Sequence, residues 1–341
     1  MNKALCVAFF LIASFYLASP PDALSAGYNA GFRTIGEWSE EDKNRMDLMI
    51  WYPTAKGERE ITISPWTVYG APNAKCVGGK FPLLVISHLT PGNRFSHREL
   101  AAFFARRGYI VVVPTHPRDN LDNMDDLYTW NQLLRRAENI DRAIGLAANY
   151  PEIKGALDLT KIGFIGFGAG GATGLLLGGA IPNCASWQTY CHRAGRNDIY
   201  CQKWAKERID QMCLALPLEE KVANPRIRAM ALVAPSYGMM FDKYSFENYS
   251  PETLLIGATR DKINSTKSHS EPLARALGKK AFYYEIKDAD LGALMSRCPS
   301  ILELEMPDLC LSVPPETRQK FLQELYSTLA VFFERYLPSG A

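Results

Sequence analysis

The chain has 341 residues, 47% of them hydrophobic, with 38 Lys and Arg against 36 Asp and Glu. That supplies enough apolar material for one large core, while a formal net charge of +2 without a long basic run gives nucleic acid no electrostatic footprint.

In chain order, residues 1–26 come first and read as a secretory signal: Lys3, an apolar run over 4–17, then small residues with cleavage expected after Ser25 or Ala26. The run is too short to span a bilayer comfortably, and Cys6 lies inside it rather than just after it, where a lipoprotein attachment site would be. The expectation is an exported protein, periplasmic or secreted, with no membrane span after cleavage and a single domain over 27–341.

Residues 46–52 (MDLMIWY) predict an early strand stopped by Pro53, and a polar, Pro- and Gly-containing stretch follows to Lys80. Residues 81–88 (FPLLVISH) and 109–114 (YIVVVP) have the continuous apolar character of strands buried on both faces. A helix over 97–107, closed by Gly108, separates them. Leu133, Leu134, Ala137, Ile140, Ile144 and Ala147 recur at helical spacing and predict a long amphipathic helix over 130–150. Further strands are read at 227–235, 253–257 and 281–286, with helices near 267–277 and 315–336. Strands alternating with helices predict an α/β fold: a doubly wound, mostly parallel sheet.

Between 182 and 224 lies an insertion with four cysteines and no strand character, read as a disulfide-pinned helical cap above the sheet. Without the signal, seven cysteines remain, and in an exported chain they are read as disulfides before metal ligands. Cys298 with Cys310 and Cys191 with Cys201 are the simplest pairs. Cys184 with Cys213 is then left over and Cys76 is odd, although sequence does not fix connectivity.

The stretch 161–177 (KIGFIGFGAGGATGLLL) outlines a strand, a sharp glycine turn and a helix of small residues. In an α/β-hydrolase this turn carries the nucleophile in the pattern G-x-S-x-G. Here it reads Gly166-Phe167-Gly168-Ala169-Gly170, so Gly168 stands in the serine slot. A carboxylate does stand where the triad acid belongs, because residues 254–261 run from a strand into a loop ending in Asp261.

With Ile86-Ser87-His88, Arg94-Phe95-Ser96-His97-Arg98, Pro114-Thr115-His116-Pro117, Asp119-Asn120 and Cys298-Pro299, the chain from 81 to 337 resembles exported hydrolases related to dienelactone hydrolase and platelet-activating-factor acetylhydrolase. The resemblance implies a catalytic histidine after the last strand, where Ala289-Asp290-Leu291-Gly292 puts Leu291 instead; no histidine follows His269. It assigns the oxyanion donors to the backbone N–H groups of Thr90 and Ala169, and makes His88 and His116 structural residues near the pocket. Pro91 is expected to reshape the loop after His88. Ser87 and Ser236 lie near strand ends, and neither is expected to have an adjacent base.

Three functions are compatible with this sequence. The first is a hydrolase-fold protein that has lost serine-hydrolase catalysis and binds a small or acyl ligand, or a protein partner, beneath the cap. The second is a working carboxylic-ester hydrolase with a displaced nucleophile. The third is a dinucleotide-binding protein, since Gly166, Gly168 and Gly171 also satisfy G-x-G-x-x-G, although no second strand with an acidic residue stands about twenty positions on. No cofactor and no metal site is expected.

Overall fold

The computed structural model describes residues 27–39, 44–214 and 222–339. The signal read at 1–26, and the stretch 215–221 of the cap, lie outside the described residues. The strands are β1 (Asn29–Ser39), β2 (Asn44–Thr54), β3 (Arg59–Ile63), β4 (Trp66–Pro72), β5 (Phe81–Ser87), β6 (Ile110–Pro114), β7 (Leu157–Phe167), β8 (Ile227–Val233), β9 (Glu252–Ala258) and β10 (Ala281–Ile286). The helices are α1 (Arg98–Ala105), α2 (Trp130–Asn149), α3 (Ala169–Leu177), α4 (Cys184–Ala194), α5 (Lys203–Leu214), α6 (Ser270–Leu277), α7 (Ser300–Glu305), α8 (Pro307–Cys310) and α9 (Pro315–Tyr336).

All ten strands form one sheet in the order β10-β9-β8-β7-β5-β6-β2-β1-β4-β3. From β6 to β10 every neighbouring pair is parallel. This is the mostly parallel α/β-hydrolase fold, and its strands are buried because helices cover both faces. Every residue of β5 and β6 is buried. One face packs Leu83, Val85, Ile140, Ile144 and Leu175 with α2 and α3; the other packs Leu84, Ile86, Leu100, Phe104, Leu329 and Phe333 with α1 and α9.

The stretch 55–80, read as polar and irregular, holds β3 and β4, and β1 precedes the first strand seen in the sequence. These lie at one edge of the sheet, where strands meet solvent: β4 begins with buried and exposed side chains in alternation, and no residue of β3 is buried.

Two clusters position the site. At the junction of β7 and α3, helix and sheet are nearly in contact: a Cβ on Gly166 would meet the Gly170 carbonyl oxygen at 2.2 Å, and one on Gly170 would meet the Ser87 carbonyl oxygen at 2.2 Å. The glycine spacing is thus spent on close packing. The next element after α3 is the helix α4 rather than a strand, so no acidic strand end stands where a ribose would need one. The second cluster is the cap of α4 and α5. It is pinned by Cys184–Cys213 and Cys191–Cys201, and Cys298–Cys310 closes the loop carrying α7 and α8. These are the two simplest pairs and the one they left over, and Cys76 is free and buried.

Candidate active site

Parallel pairing brings the C-terminal ends of the central strands to one edge, where ligands of open α/β sheets bind. Ser87 pairs with Gly166, Phe167 with Val233, Val233 with Ile256, and Ala258 with Ile286. The segments leaving β5, β7, β8, β9 and β10 therefore converge, and they carry Leu89, Gly168, Ser236, Asp261 and Leu291.

Gly168 sits at φ 53° and ψ −114°, outside the regions L-residues favour, with its N–H donating to the Val233 carbonyl (3.0 Å) and its carbonyl accepting from the Ser236 N–H (2.9 Å). Gly168 thus makes a sharp elbow between β7 and α3, at the place where an α/β-hydrolase fold can carry a nucleophile. The direction a side chain would take is set by the same backbone. A Cβ at 168 would meet Leu291 Cδ2 at 3.0 Å, Leu89 Cβ at 3.2 Å and Ser236 Oγ at 3.6 Å. Residues 168 and 291, expected as the nucleophile and base positions, face each other, and neither carries a polar side chain.

Asp261 lies just beyond β9. Its Oδ1 accepts the N–H groups of Ile263 and Asn264, both at 2.9 Å. Its Oδ2 is buried with no hydrogen-bond partner. Burial pushes the carboxyl above the ordinary aspartate range, against the pull of the backbone donors.

Ala169 is the first residue of α3, where backbone N–H groups have no intrahelical partner. Thr90 lies on the loop after β5, next to the cis Thr90–Pro91 bond. Its side chain is fixed by a buried network that sequence reasoning passed over. Arg136 donates to Asp119 Oδ2 (2.5 Å), to the His88 carbonyl (2.6 Å) and to Thr90 Oγ1 (2.8 Å). Gln132 donates to Asp119 Oδ2 (2.9 Å) and accepts from the Tyr237 hydroxyl (2.5 Å). His88 donates through Nδ1 to the Leu89 carbonyl (2.7 Å) and accepts the His116 N–H at Nε2 (3.2 Å). Both ring nitrogens are committed to backbone and burial keeps the ring neutral, so His88 shapes the loop and has no proton to offer.

One expectation is corrected. Ser87 does have an adjacent imidazole: its Oγ lies 2.8 Å from His116 Nε2. Both side chains are 0% exposed, however, and His116 Nδ1 meets no carboxylate or any other partner. His269 is not joined to Asp261; it accepts the Gly238 N–H at Nδ1 (3.2 Å).

The cap closes over this edge. Tyr200, on the short helical turn Ile199–Cys201, directs its hydroxyl to Asn264 Oδ1 (2.6 Å). Its ring packs against those of Tyr128, Tyr237 and His269 at 5.7, 5.4 and 5.3 Å. Leu291, Asp261, Ser236 and Tyr200 are 9%, 7%, 6% and 2% exposed, so the centre is packed. Clefts of about 740, 650 and 650 Å³ lie elsewhere on the molecule. Among the described residues no cluster of three His, Cys, Asp or Glu side chains is placed to hold a metal ion. Nor, among them, is any helix long and apolar enough to cross a membrane.

No family model matches the chain, and no curated protein matches it. Among solved structures it is similar to a ferulic acid esterase from Streptomyces cinnamoneus, with a TM-score of 0.56 and 16% identity over 94% of this chain and 92% of that one. At that identity the likeness speaks for the fold.

Proposed function

We propose that this chain is an exported hydrolase-fold protein whose ester-cleaving centre is silent and whose role is binding beneath the cap. The observation that carries the reading is the meeting of the Gly168 elbow with Leu291, beside an Asp261 oxygen that has no partner. The scaffold for acyl transfer is intact in its backbone: an elbow, the N–H of Ala169 at the start of α3, and an acid in the right order along the chain. The groups that would move a proton are absent. Removing the serine or the histidine of a serine hydrolase costs about 10⁶ in turnover, so losing both leaves no covalent route. The charge pattern of residues 1–26 and three disulfides support export.

The test uses the purified, oxidised protein with p-nitrophenyl acetate and with methyl ferulate, the latter chosen because the structurally similar protein is a ferulic acid esterase. No turnover above the heat-denatured chain is expected, and a fluorophosphonate probe is expected to leave every serine unlabelled. Turnover of either ester overturns the reading.

The rival is an esterase with a displaced nucleophile, favoured by the Ser87–His116 contact of 2.8 Å. Its full burial, and the lack of a carboxylate on His116 Nδ1, weigh against it. Probe label mapped to Ser87 or Ser236 decides for the rival.

A further inference from the structure

Arg318, Leu322 and Tyr326 recur every four positions on α9 and therefore share one face of it. Phe103 of α1 meets that face, its ring centroid 5.1 Å from that of Tyr326. Beside this contact α1, α8 and α9 bound a groove of about 740 Å³, a size at which proteins hold small molecules. Its apolar wall is formed by Phe103, Leu311, Val313, Leu322 and Tyr326, and Leu311 is 56% exposed, so part of that wall is left uncovered. Three arginines, Arg107, Arg297 and Arg318, line it against two glutamates, Glu99 and Glu303. Each glutamate has an arginine of its own: Glu99 lies 3.7 Å from Arg98, and Glu303 lies 3.3 Å from Arg297.

Arg318 has no such counter-charge. It is 6% exposed, and among the described residues all its hydrogen bonds go to backbone carbonyls: Nη1 to Gly292 and to Met295 (3.4 Å), and Nη2 to Cys310 (2.7 Å). A guanidinium carries five N–H donors, so these three bonds leave Nε–H and one hydrogen of Nη2, neighbouring donors of the kind a carboxylate bridges. Burial pulls the group below its ordinary range, against the more distant attraction of Asp290, Glu99 and Glu303, yet an arginine stays charged. A buried charge without a counter-ion is unfavourable, and this one borders a groove with room to admit the counter-ion.

We propose that the groove between α1, α8 and α9 binds a monocarboxylate with an apolar body. The carboxylate bridges Nε and Nη2 of Arg318, and the body lies along Phe103, Leu311, Leu322 and Tyr326. The carbonyl bonds of Arg318 are kept, because the ligand uses only the donors they leave over. This site goes beyond the reading of the capped centre and does not rest on it: none of Leu89, Gly168, Ser236, Asp261 and Leu291 lines the groove.

The full oxidised chain is titrated calorimetrically at neutral pH with octanoate, octanamide and acetate. Octanoate is expected to bind about tenfold or more tightly than octanamide, which has the same body without the charge. It should exceed acetate, which has the charge without the body, by at least as much. Absence of octanoate binding, or equal affinity for octanoate and either of the others, overturns the proposal. Two variants place the site. Arg318→Gln is expected to erase the preference for octanoate over octanamide, and a preference that survives it overturns the assignment. Because Arg318 also holds the carbonyls of Gly292 and Cys310, Leu311→Glu tests the same groove at an exposed side chain that the fold does not need. The added carboxylate should weaken octanoate about tenfold or more, and unchanged binding places octanoate elsewhere and overturns the proposal. Ester turnover would strike the silent-centre reading and leave this site untouched, so the two failures are told apart.

Discussion

The opposition of Gly168 and Leu291 can be measured without any substrate, through a double-mutant cycle between Gly168→Ala and Leu291→Ala. At φ 53° and ψ −114° a Cβ costs about 1–3 kcal/mol in backbone strain. The same atom would stand 3.0 Å from Leu291 Cδ2, closer than van der Waals contact, and overpacking of that kind adds about 1 kcal/mol or more. Leu291→Ala alone, at a side chain 9% exposed, is expected to cost about 2–3 kcal/mol, near the lower end for a core leucine. In the double variant Cδ2 is gone and the new methyl occupies part of the space it left. The combined loss should therefore fall short of the sum by about 1 kcal/mol. Urea unfolding followed by circular dichroism gives each value from its midpoint and slope. Leu89 supplies the control: its contact at 3.2 Å is through Cβ, which Leu89→Ala retains, so that pair should show little coupling. Additivity of Gly168→Ala with Leu291→Ala to within about 0.5 kcal/mol would refute the claim that these slots face each other.

Three further outcomes are expected. Gly168→Ser with Leu291→His should raise p-nitrophenyl acetate hydrolysis at least about a hundredfold over the parent and render the introduced hydroxyl reactive to fluorophosphonate; a flat rate would mean that the loops have drifted as well as the side chains. Asp261 has its folded pKa raised by burial, so its contribution to stability is full below the unfolded value and is lost as pH rises through the folded one. Asp261→Asn should accordingly gain stability relative to the parent as pH rises from acid to neutral, and chemical denaturation across that range checks it, a constant difference being the contrary result. Arg136→Ala strands the buried Asp119 carboxylate and should cost about 3–5 kcal/mol, while replacing both by apolar residues of similar size should cost far less; urea midpoints of the two variants check this, and equal losses would contradict it.

The central strands were legible because burial on both faces leaves continuous apolar runs such as 81–87 and 162–167, and a chain with enough of these has few alternatives to a covered parallel sheet. β3 and β4 were not, because edge strands alternate polar with apolar residues and β4 begins just after Pro65; locally that pattern is hard to tell from a loop. Gly168 and Asp261 could be placed from the strand and turn that flank each of them, whereas Leu291 carries no chemistry of its own and was found only by resemblance. The Arg136 network did leave a trace. Gln132, Arg136 and Asn139 are polar residues at helical spacing within the buried stripe of α2, and buried polar groups at such positions need partners. Tyr200 left none, since its partner Asn264 is 64 positions away and nothing local distinguishes an inward tyrosine from an outward one.

Two kinds of silence can be distinguished in a centre of this shape, and they differ in what would undo them. If only chemistry were missing, water and substrate would still reach the elbow, and the bare oxygen of Asp261 would be solvated. Instead the oxygen is buried without a partner, and Leu89 and Leu291 close on the turn. Burial of an unpaired acceptor is unfavourable by about 1–3 kcal/mol, a cost that persists only when the surrounding packing outweighs it. Leu291 supplies that packing, since it contributes to the core formed by Leu294, Met295 and Leu325. On the proposed reading, loss of the histidine and closure of the pocket are one event: the side chain that stands in place of the base also fills its space. A ligand must then enter by moving the cap rather than by meeting an open cleft. Tyr200, the inward anchor of an otherwise surface segment, is the contact that such a movement has to break.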